Sequence, residues 1–504
     1  MSFPEHFNMA RYFLDDRIAE GSGDRTAIID DRGRYTYSEV QALANRVASA
    51  LWSRGVRPED RVLIGLSDSV EFAAAFFGVL KVGAVVAMVN PELPDGDYDH
   101  YLGYTRCRAL LADRALIDRI TPTLAAHRAI CHTVIAGESW DQALAEADPE
   151  FPTYDTSRDD PAVWLFTSGS TGTPKAAVHF HHDFPFNTEC YAKQVLGISE
   201  GDVCIAVPKL FFGYATGANL MFPLAVGATA VLFRDRSTPE RLFELIVRHR
   251  ATVLTSVPTM INKMTAAETD PQALASLRVC ISAGEALPEE LYRRWRARFG
   301  VEILDGIGSA ELFHIYISNR FSQVRPGSLG QLVPGYEARI VDEAGQEVAP
   351  GEIGTLWVKG DSAALCYWQA HEKSKQVLRG DWVVSGDLFH RDREGYFYYA
   401  GRADDLLKVG GIFVSPVEVE SCLQRHPAVL ETAVAGYEDE EKLVKPIAYV
   451  VVRPPAAPCE ALARSLIEHA RSELAHYKAP RRIEFVTALP RSDRGKILRK
   501  SLTQ

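Results

Sequence analysis

The sequence has no paired-cysteine pattern, no uninterrupted apolar run and no excess of positive charge, and each absence removes a class of protein. Its eight cysteines, at positions 107, 131, 190, 204, 280, 366, 422 and 459, form no CxxC pair. Disulfide frameworks and cysteine-rich metal sites are therefore excluded, and reduced, mostly buried thiols are expected. The most apolar stretch, 72–90, is broken by Gly78, Lys81 and Gly83, whereas a membrane span needs about 20 apolar residues. It predicts a buried helix over 70–79 that leads through Lys81 and Gly83 into a buried strand. The opening eight residues show no positive segment followed by an apolar one, so no secretory signal is expected and a cytoplasmic location with no membrane partner is. Lys and Arg number 55 against 66 Asp and Glu, a net charge of −11, which argues against a nucleic-acid partner. A local basic pocket for a small anion is still allowed. Internal repeats and low-complexity tracts are also missing; 454–458 is only a short Pro/Ala loop.

What is present is ample core-forming material: 504 residues, 47% apolar and 24% charged, enough for large hydrophobic cores. Short β-branched runs (61–66, 85–89, 203–207, 229–233, 252–257, 278–282, 302–305) alternate with amphipathic segments such as 239–248 and 288–299. This alternation predicts an α/β protein with layered, mostly parallel sheets. From about 327 to 400 the texture turns to glycine-punctuated strand pieces, a β-rich subdomain of the large unit 1–402. The remainder, 403–504, reads as a small α+β domain with helices at 416–425 and 460–474 and strands at 430–436 and 446–452.

The most informative stretch is Trp164-Leu-Phe-Thr-Ser-Gly-Ser-Thr-Gly-Thr-Pro-Lys175. A buried strand at 162–166 runs into small residues: Gly169 and Gly172 let backbone N–H groups approach an anion, and the hydroxyls of Thr167, Ser168, Ser170 and Thr171 add donors. Lys175 supplies a mobile point charge suited to outer phosphates. A flexible Gly/Ser/Thr linker is the competing account, but linkers rarely sit between a buried strand and an apolar one. The Walker pattern fails because Lys175 follows Pro174 and precedes Ala176, so an ordinary P-loop nucleotidase is disfavoured.

This loop resembles the signature of the acyl-adenylate-forming enzymes: acyl-CoA synthetases, adenylation domains and luciferases. In the order of that superfamily follow Ser282-Ala-Gly-Glu-Ala-Leu-Pro288, Asp305-Gly-Ile-Gly-Ser-Ala-Glu311, Trp382-Val-Val-Ser-Gly-Asp387, Tyr399-Ala-Gly-Arg-Ala-Asp-Asp405 and Pro490-Arg-Ser-Asp-Arg-Gly-Lys496. Lys209-Leu-Phe-Phe-Gly-Tyr214, together with the Asp305 motif and His314, is most similar to the benzoate–CoA ligases.

The resemblance implies that ATP and a carboxylic acid give an acyl-AMP and pyrophosphate, after which coenzyme A displaces AMP. It implies that Mg2+ sits on Glu311, that the loop Thr167–Lys175 holds the outer phosphates, that Asp387 accepts the ribose hydroxyls and that Arg402 adds a further contact. Gly284, Glu285 and Ala286, with Asp305, Gly306 and Ile307, would line the adenine, and Tyr399 would stack nearby. Lys496, on a basic tail segment that is otherwise readable as a solvated face, would catalyse adenylation. Asp404 matches the hinge residue, and Lys408, Gly410 and Gly411 would line the pantetheine tunnel. Gly213, Tyr214, Gly308, Ser309 and His314 match the acid pocket, so the expected partners are an aromatic acid and CoA, and a homodimer is compatible. A fatty acid–CoA ligase and a non-catalytic nucleotide or acyl-adenylate binder stay open as alternatives.

Two positions depart from the pattern. Ala310 stands where Thr usually precedes the metal-binding Glu, which predicts slower adenylation unless Ser309 substitutes for it; Ala176 stands for a common Gly. Gly213, where Ala is usual, is expected to leave room for a hydroxyl, amino or halogen substituent. His179, His181 and His182 are read as a strand-end cluster facing solvent. Glu311 and His314 have helical i, i+3 spacing, but two ligands do not make a zinc site.

Overall fold

Two mixed sheets with mostly parallel centres dominate the computed structural model, which describes residues 2–127, 133–135, 144–168, 174–402, 407–409, 412–439, 444–491, 497 and 499–502. The seven-stranded sheet has the spatial order Cys366–Tyr367, Pro174–Phe180, Pro161–Ser168, Val85–Met88, Arg61–Gly65, Ala109–Ala112, Thr133–Ile135. Its first three strands are antiparallel neighbours and the rest are parallel. The nine-stranded sheet runs Gln331–Leu332, Ile315–Ser318, Ile303–Gly308, Val279–Ser282, Val253–Ser256, Val203–Ala206, Thr229–Val231, Thr26–Ile29, Arg34–Thr36. Its six central strands are parallel.

One apolar core is shared by the two sheets. It joins Val62, Ile64 and Val86 from one to Ile28, Ala230, Val279 and Leu304 from the other, with the helices Tyr37–Ser53 and Val70–Val82 contributing to the same cluster. Parallel strands covered on both faces read as continuous apolar runs, which is why these strands are visible in the sequence. The helix expected over 70–79 continues to Val82, and every residue in it except Glu71 is buried. Lys81 therefore lies inside the helix, its ammonium 2.6 Å from Asp15 and 3.0 Å from the Thr153 hydroxyl. A buried cation is tolerable when it is paired and hydrogen-bonded in this way. Thr36 starts the longer helix through a capping box with Glu39. The outer face of the nine-stranded sheet is covered by Pro239–His249, Pro258–Ala266 and Glu289–Phe299, and that of the other sheet by Asp95–Thr105 and Arg114–Ala126.

A third, antiparallel sheet comprises Glu337–Val341, Gly354–Lys359, Trp382–Arg391, Leu378–Arg379 and Phe397–Arg402. Beyond it lie a small hairpin, Leu407–Val409 with Ile412–Val414, and a three-stranded sheet of Val429–Glu438, Val444–Val452 and Arg482–Phe485. Helices Pro416–Gln424 and Glu460–Glu473 pack on the latter in a separate core. The seven cysteines among the described residues are all free, and no helix among those residues is long and apolar enough to cross a membrane.

Candidate active site

Parallel strands deliver their C-terminal ends to one edge, where ligands of α/β sheets characteristically bind. Strands Val279–Ser282 and Ile303–Gly308 pair with Ser282 opposite Asp305. The first runs into Gly284, whose φ of +90° only glycine adopts without strain, then Glu285 and the exposed Ala286. The second carries Asp305, Gly306, Ile307 and Gly308 in one row.

Asp305 is buried, and its Oδ1 has no hydrogen-bond partner among the described residues. Burial pushes its carboxyl up to about 8, against the opposing pull of the Ser282 hydroxyl and the Gly306 and Leu287 N–H groups. Glu285 accepts a hydrogen bond from the Thr259 hydroxyl at 2.8 Å, and burial raises its carboxyl too. Arg491, from the far end of the chain, bonds that same Thr259 hydroxyl at 3.1 Å, lies 3.9 Å from Glu285 and reaches Glu431 at 3.2 Å.

After Gly308 the chain makes a short 3-10 turn, Ala310–Leu312. It then reverses at Phe313, which has φ +68° and ψ −60°, with the His314 N–H donating to the Leu312 carbonyl at 2.9 Å. This is a γ-turn, a strained conformation for a side chain-bearing residue. Stacking of Phe313 on Phe184, with ring centroids 3.5 Å apart, holds it. The reversal takes His314 off the helical path, so the i, i+3 spacing to Glu311 does not describe one helix face. Glu311 accepts a hydrogen bond from the Tyr367 phenol on Oε1 at 2.6 Å and, through its main-chain carbonyl, from the Ala364 N–H at 2.8 Å.

The expected solvent-facing histidine cluster is not found. His179 and His181 are fully buried and His182 partly buried; His179 belongs to the strand Pro174–Phe180, which lies inside the seven-stranded sheet, and His181 and His182 follow its end. His179 meets Asp183 at 2.7 Å through Nδ1 and the Ala310 carbonyl at 2.7 Å through Nε2. His181 accepts from the Met9 N–H at 3.1 Å, and burial drives its pKa down to about 3. His182 faces the Arg158 carbonyl at 3.0 Å.

On the other side of the γ-turn, His314 is buried and donates from Nε2 to the Tyr214 carbonyl at 3.0 Å. Desolvation lowers its pKa to about 3, so it is neutral and Nδ1 is an acceptor, with no partner among the described residues. Tyr214 lies 5.2 Å from it, ring to ring, and its hydroxyl is 3.4 Å from the Ser256 carbonyl. Gly308 passes so close to His314 that a Cβ there would lie 2.4 Å from its carbonyl oxygen. The room expected at Gly213 is taken up by Leu165, whose methyl groups lie 3.0 and 3.3 Å from the position a Cβ would occupy. Burial raises the pKa of the Tyr316 phenol, helped by the charges of Asp387 and Glu311 and opposed by the Ser309 hydroxyl.

Asp387 sits opposite Arg402 in the pairing of Trp382–Arg391 with Phe397–Arg402. Tyr399, in the same strand pair, packs edge-on against Phe389 at 5.5 Å. Lys175 is the second residue of the strand Pro174–Phe180, opposite Thr167; Ser168 ends the strand Pro161–Ser168, and Lys408 lies within Leu407–Val409. Gly169, Ser170, Thr171, Gly172, Asp404, Gly410, Gly411 and Lys496 lie outside the described residues.

Residues 15–368 match the model of the AMP-binding enzyme family, and 418–496 that of the AMP-binding enzyme C-terminal domain. This chain belongs to the AMP-binding enzymes. It is 44% identical to a benzoate–CoA ligase of Thauera aromatica over 100% of this chain and 97% of that protein. The crystal structure of the anthranilate CoA ligase AuaEII in complex with anthranoyl-AMP superposes with a TM-score of 0.95 at 38% identity, covering 99% of this chain and 97% of the other. A benzoate CoA ligase structure from Burkholderia xenovorans LB400 gives 0.91 at 42% identity, covering 99% and 100%.

Within this AMP-binding enzyme, the fold gathers Asp305, Glu311, Gly308 and His314 on one strand and its turn, with Glu285 on the neighbouring loop. Tyr367, the Phe313 γ-turn and the Arg491 contact were missed by reading the sequence. Tyr367 and Arg491 act across 56 and 232 positions, where no local pattern announces a partner. The buried state of His179 had a signal: a strand apolar on both faces buries its polar residues as well.

Proposed function

We propose that this enzyme is an AMP-forming aryl acid–CoA ligase acting on benzoate or a hydroxyl- or amino-substituted benzoate. The observation that carries the reading is the single turn 309–314, which holds a carboxylate, Glu311, and a neutral imidazole, His314, apart across the Phe313 reversal; this supports a nucleotide role for the first and an acid-pocket role for the second. In the first step the acid's carboxylate attacks the α-phosphorus of ATP and pyrophosphate leaves; in the second the CoA thiol displaces AMP.

The first step brings anions together. Lys175 and the 167–175 loop hold the outer phosphates, Asp387 takes the ribose hydroxyls with Arg402 beside it, and Tyr399 stacks nearby. Gly284, Glu285, Ala286, Asp305, Gly306 and Ile307 line the adenine. Lys496 neutralises the reacting oxygens. Mg2+ fits Glu311: the ion favours one or two carboxylates plus substrate phosphates over an all-protein cage. The described residues hold no cluster of three or more His, Cys, Asp or Glu that could bind a metal, and Glu311 has one carboxylate oxygen occupied by Tyr367. Bound there, the ion would screen the negative charge of the phosphates.

Gly213, Tyr214, Gly308, Ser309 and His314 form the acid pocket. His314 offers an acceptor, which suits the O–H or N–H of a ring substituent and not a carboxylate. Between the two steps the domain 403–504 turns about Asp404, bringing Lys408, Gly410 and Gly411 to the pantetheine arm. Free thiols throughout the described residues support a cytoplasmic setting.

The test is acid-dependent pyrophosphate release from Mg·ATP, with and without CoA, over benzoate, the three hydroxybenzoates, 2-aminobenzoate, cyclohexane carboxylate, octanoate and phenylalanine. Turnover confined to ring acids and ending in a thioester supports the reading; turnover with octanoate alone overturns the pocket assignment.

A further inference from the structure

Strand Pro174–Phe180 carries Lys175, Ala177 and His179 on one face, since side chains alternate along a strand. Its neighbour Cys366–Tyr367 pairs antiparallel to it with Tyr367 opposite Ala177, so Tyr367 shares that face, diagonal to His179. Both side chains end on the same short turn. The Tyr367 phenol donates to Glu311 Oε1 at 2.6 Å. A carbonyl oxygen can only accept, so His179 Nε2 donates to Ala310 O at 2.7 Å. The imidazole is fixed from behind by Asp183, whose Oδ2 lies 2.7 Å from Nδ1 and also accepts from the Phe180 N–H at 3.1 Å. His179 and Asp183 are both fully solvent-excluded, so neither hydrogen bond has water as a replacement partner. The turn needs such support because it leads directly into the strained residue Phe313.

We propose that Tyr367 and His179 are positioning residues that clamp this turn: the phenol occupies one oxygen of Glu311 and directs the other to the metal, while the imidazole pins the adjacent main chain. The proposal rests on the reading that Glu311 holds Mg2+. Carboxylates that ligate metals are themselves oriented by hydrogen bonds, and removing such a partner typically weakens metal binding about 10- to 100-fold. The clamp also links the phosphate lysine to the metal carboxylate, because Lys175 and His179 belong to one strand.

The test uses Tyr367→Phe, which removes a single oxygen, with His179→Gln, His179→Leu and Glu311→Gln alongside. Binding of Mn2+ to the full-length enzyme, loaded with a non-hydrolysable ATP analogue, is read by electron paramagnetic resonance. The second readout is thioester formation from preformed benzoyl-AMP and CoA. Expected are an affinity for Mn2+ about 10- to 100-fold lower in Tyr367→Phe, an unchanged thioester half-reaction, and better retention of Mn2+ by His179→Gln, which keeps a donor, than by His179→Leu. Wild-type Mn2+ affinity in Tyr367→Phe, or a loss of thioester formation as large as the loss of Mn2+ affinity, overturns the clamp. If Glu311→Gln alone loses Mn2+, the metal reading survives and the clamp fails; if Glu311→Gln binds Mn2+ as the wild type does, the metal reading falls and the clamp with it.

Discussion

Asp305→Asn replaces a buried, strongly perturbed carboxyl with a neutral group of the same shape. Asp305 is 5% exposed and its pKa stands at about 8 against an ordinary 3.8, chiefly through burial. A raised carboxyl pKa means that the folded state binds the proton more tightly than the unfolded chain. Its contribution is therefore intact below about pH 4 and is lost progressively as pH rises toward 8. At 1.36 kcal/mol per unit, about 3 units lie between 3.8 and 7, so the wild type forgoes roughly 4 kcal/mol at pH 7 and roughly 5–6 kcal/mol above pH 8. Asn carries no such penalty. The stability difference between Asp305→Asn and wild type, followed by thermal unfolding with no nucleotide present, should widen from pH 5 to pH 8 and then level off. The midpoint of the large domain's transition is the relevant quantity, since a chain with several cores need not unfold in one step. A difference that stays flat between pH 5 and pH 9 would refute the burial argument for Asp305.

Ala310→Thr places a hydroxyl directly beside Glu311, where Ser309 stands one position further back; the adenylation burst should rise by up to about 10²-fold, and equal burst rates would contradict this. Gly213→Ala presses a methyl against Leu165 at 3.0 Å, and because Leu165 already fills that space the ratio of kcat/KM between benzoate and hydroxybenzoates should change by less than about 10-fold; a larger shift toward unsubstituted benzoate would put the substituent beside Gly213 after all. Lys496→Ala should abolish acid-dependent pyrophosphate release while ATP still binds by calorimetry and preformed acyl-AMP is still converted to thioester; loss of all three would show a folding defect instead. Arg491→Ala removes the contacts to Thr259 and Glu285 and should slow adenylation more than thioester formation, measured as separate half-reactions; equal slowing would mean that those contacts do not favour one arrangement over the other.

Reading the chain alone was sufficient for the layered α/β architecture and the ordered motifs. Strands buried on both faces must be apolar throughout, and phosphate loops must be small and rich in donors, so both leave local marks. The helix Val70–Val82 is legible in the sequence only as far as Val79, because Lys81 and Gly83 ordinarily signal a helix end at the surface; the partner that lets Lys81 stay inside, Asp15, lies 66 positions away. The histidines at 179, 181 and 182 were misjudged for the same reason, since burial of a polar side chain depends on partners that composition does not reveal.

The sequence by itself determined the family, the chemistry of acid activation and the order in which the functional segments occur, all of which are encoded in contiguous residues. Only the tertiary structure decided how those segments cooperate. It made Asp305 a buried acid, turned His314 away from Glu311 through a strained residue and brought Tyr367 and His179 onto one turn. The physical reason is that each of these depends on desolvation or on hydrogen bonds between residues far apart in the chain, and such contacts come into being only when the sheets are assembled.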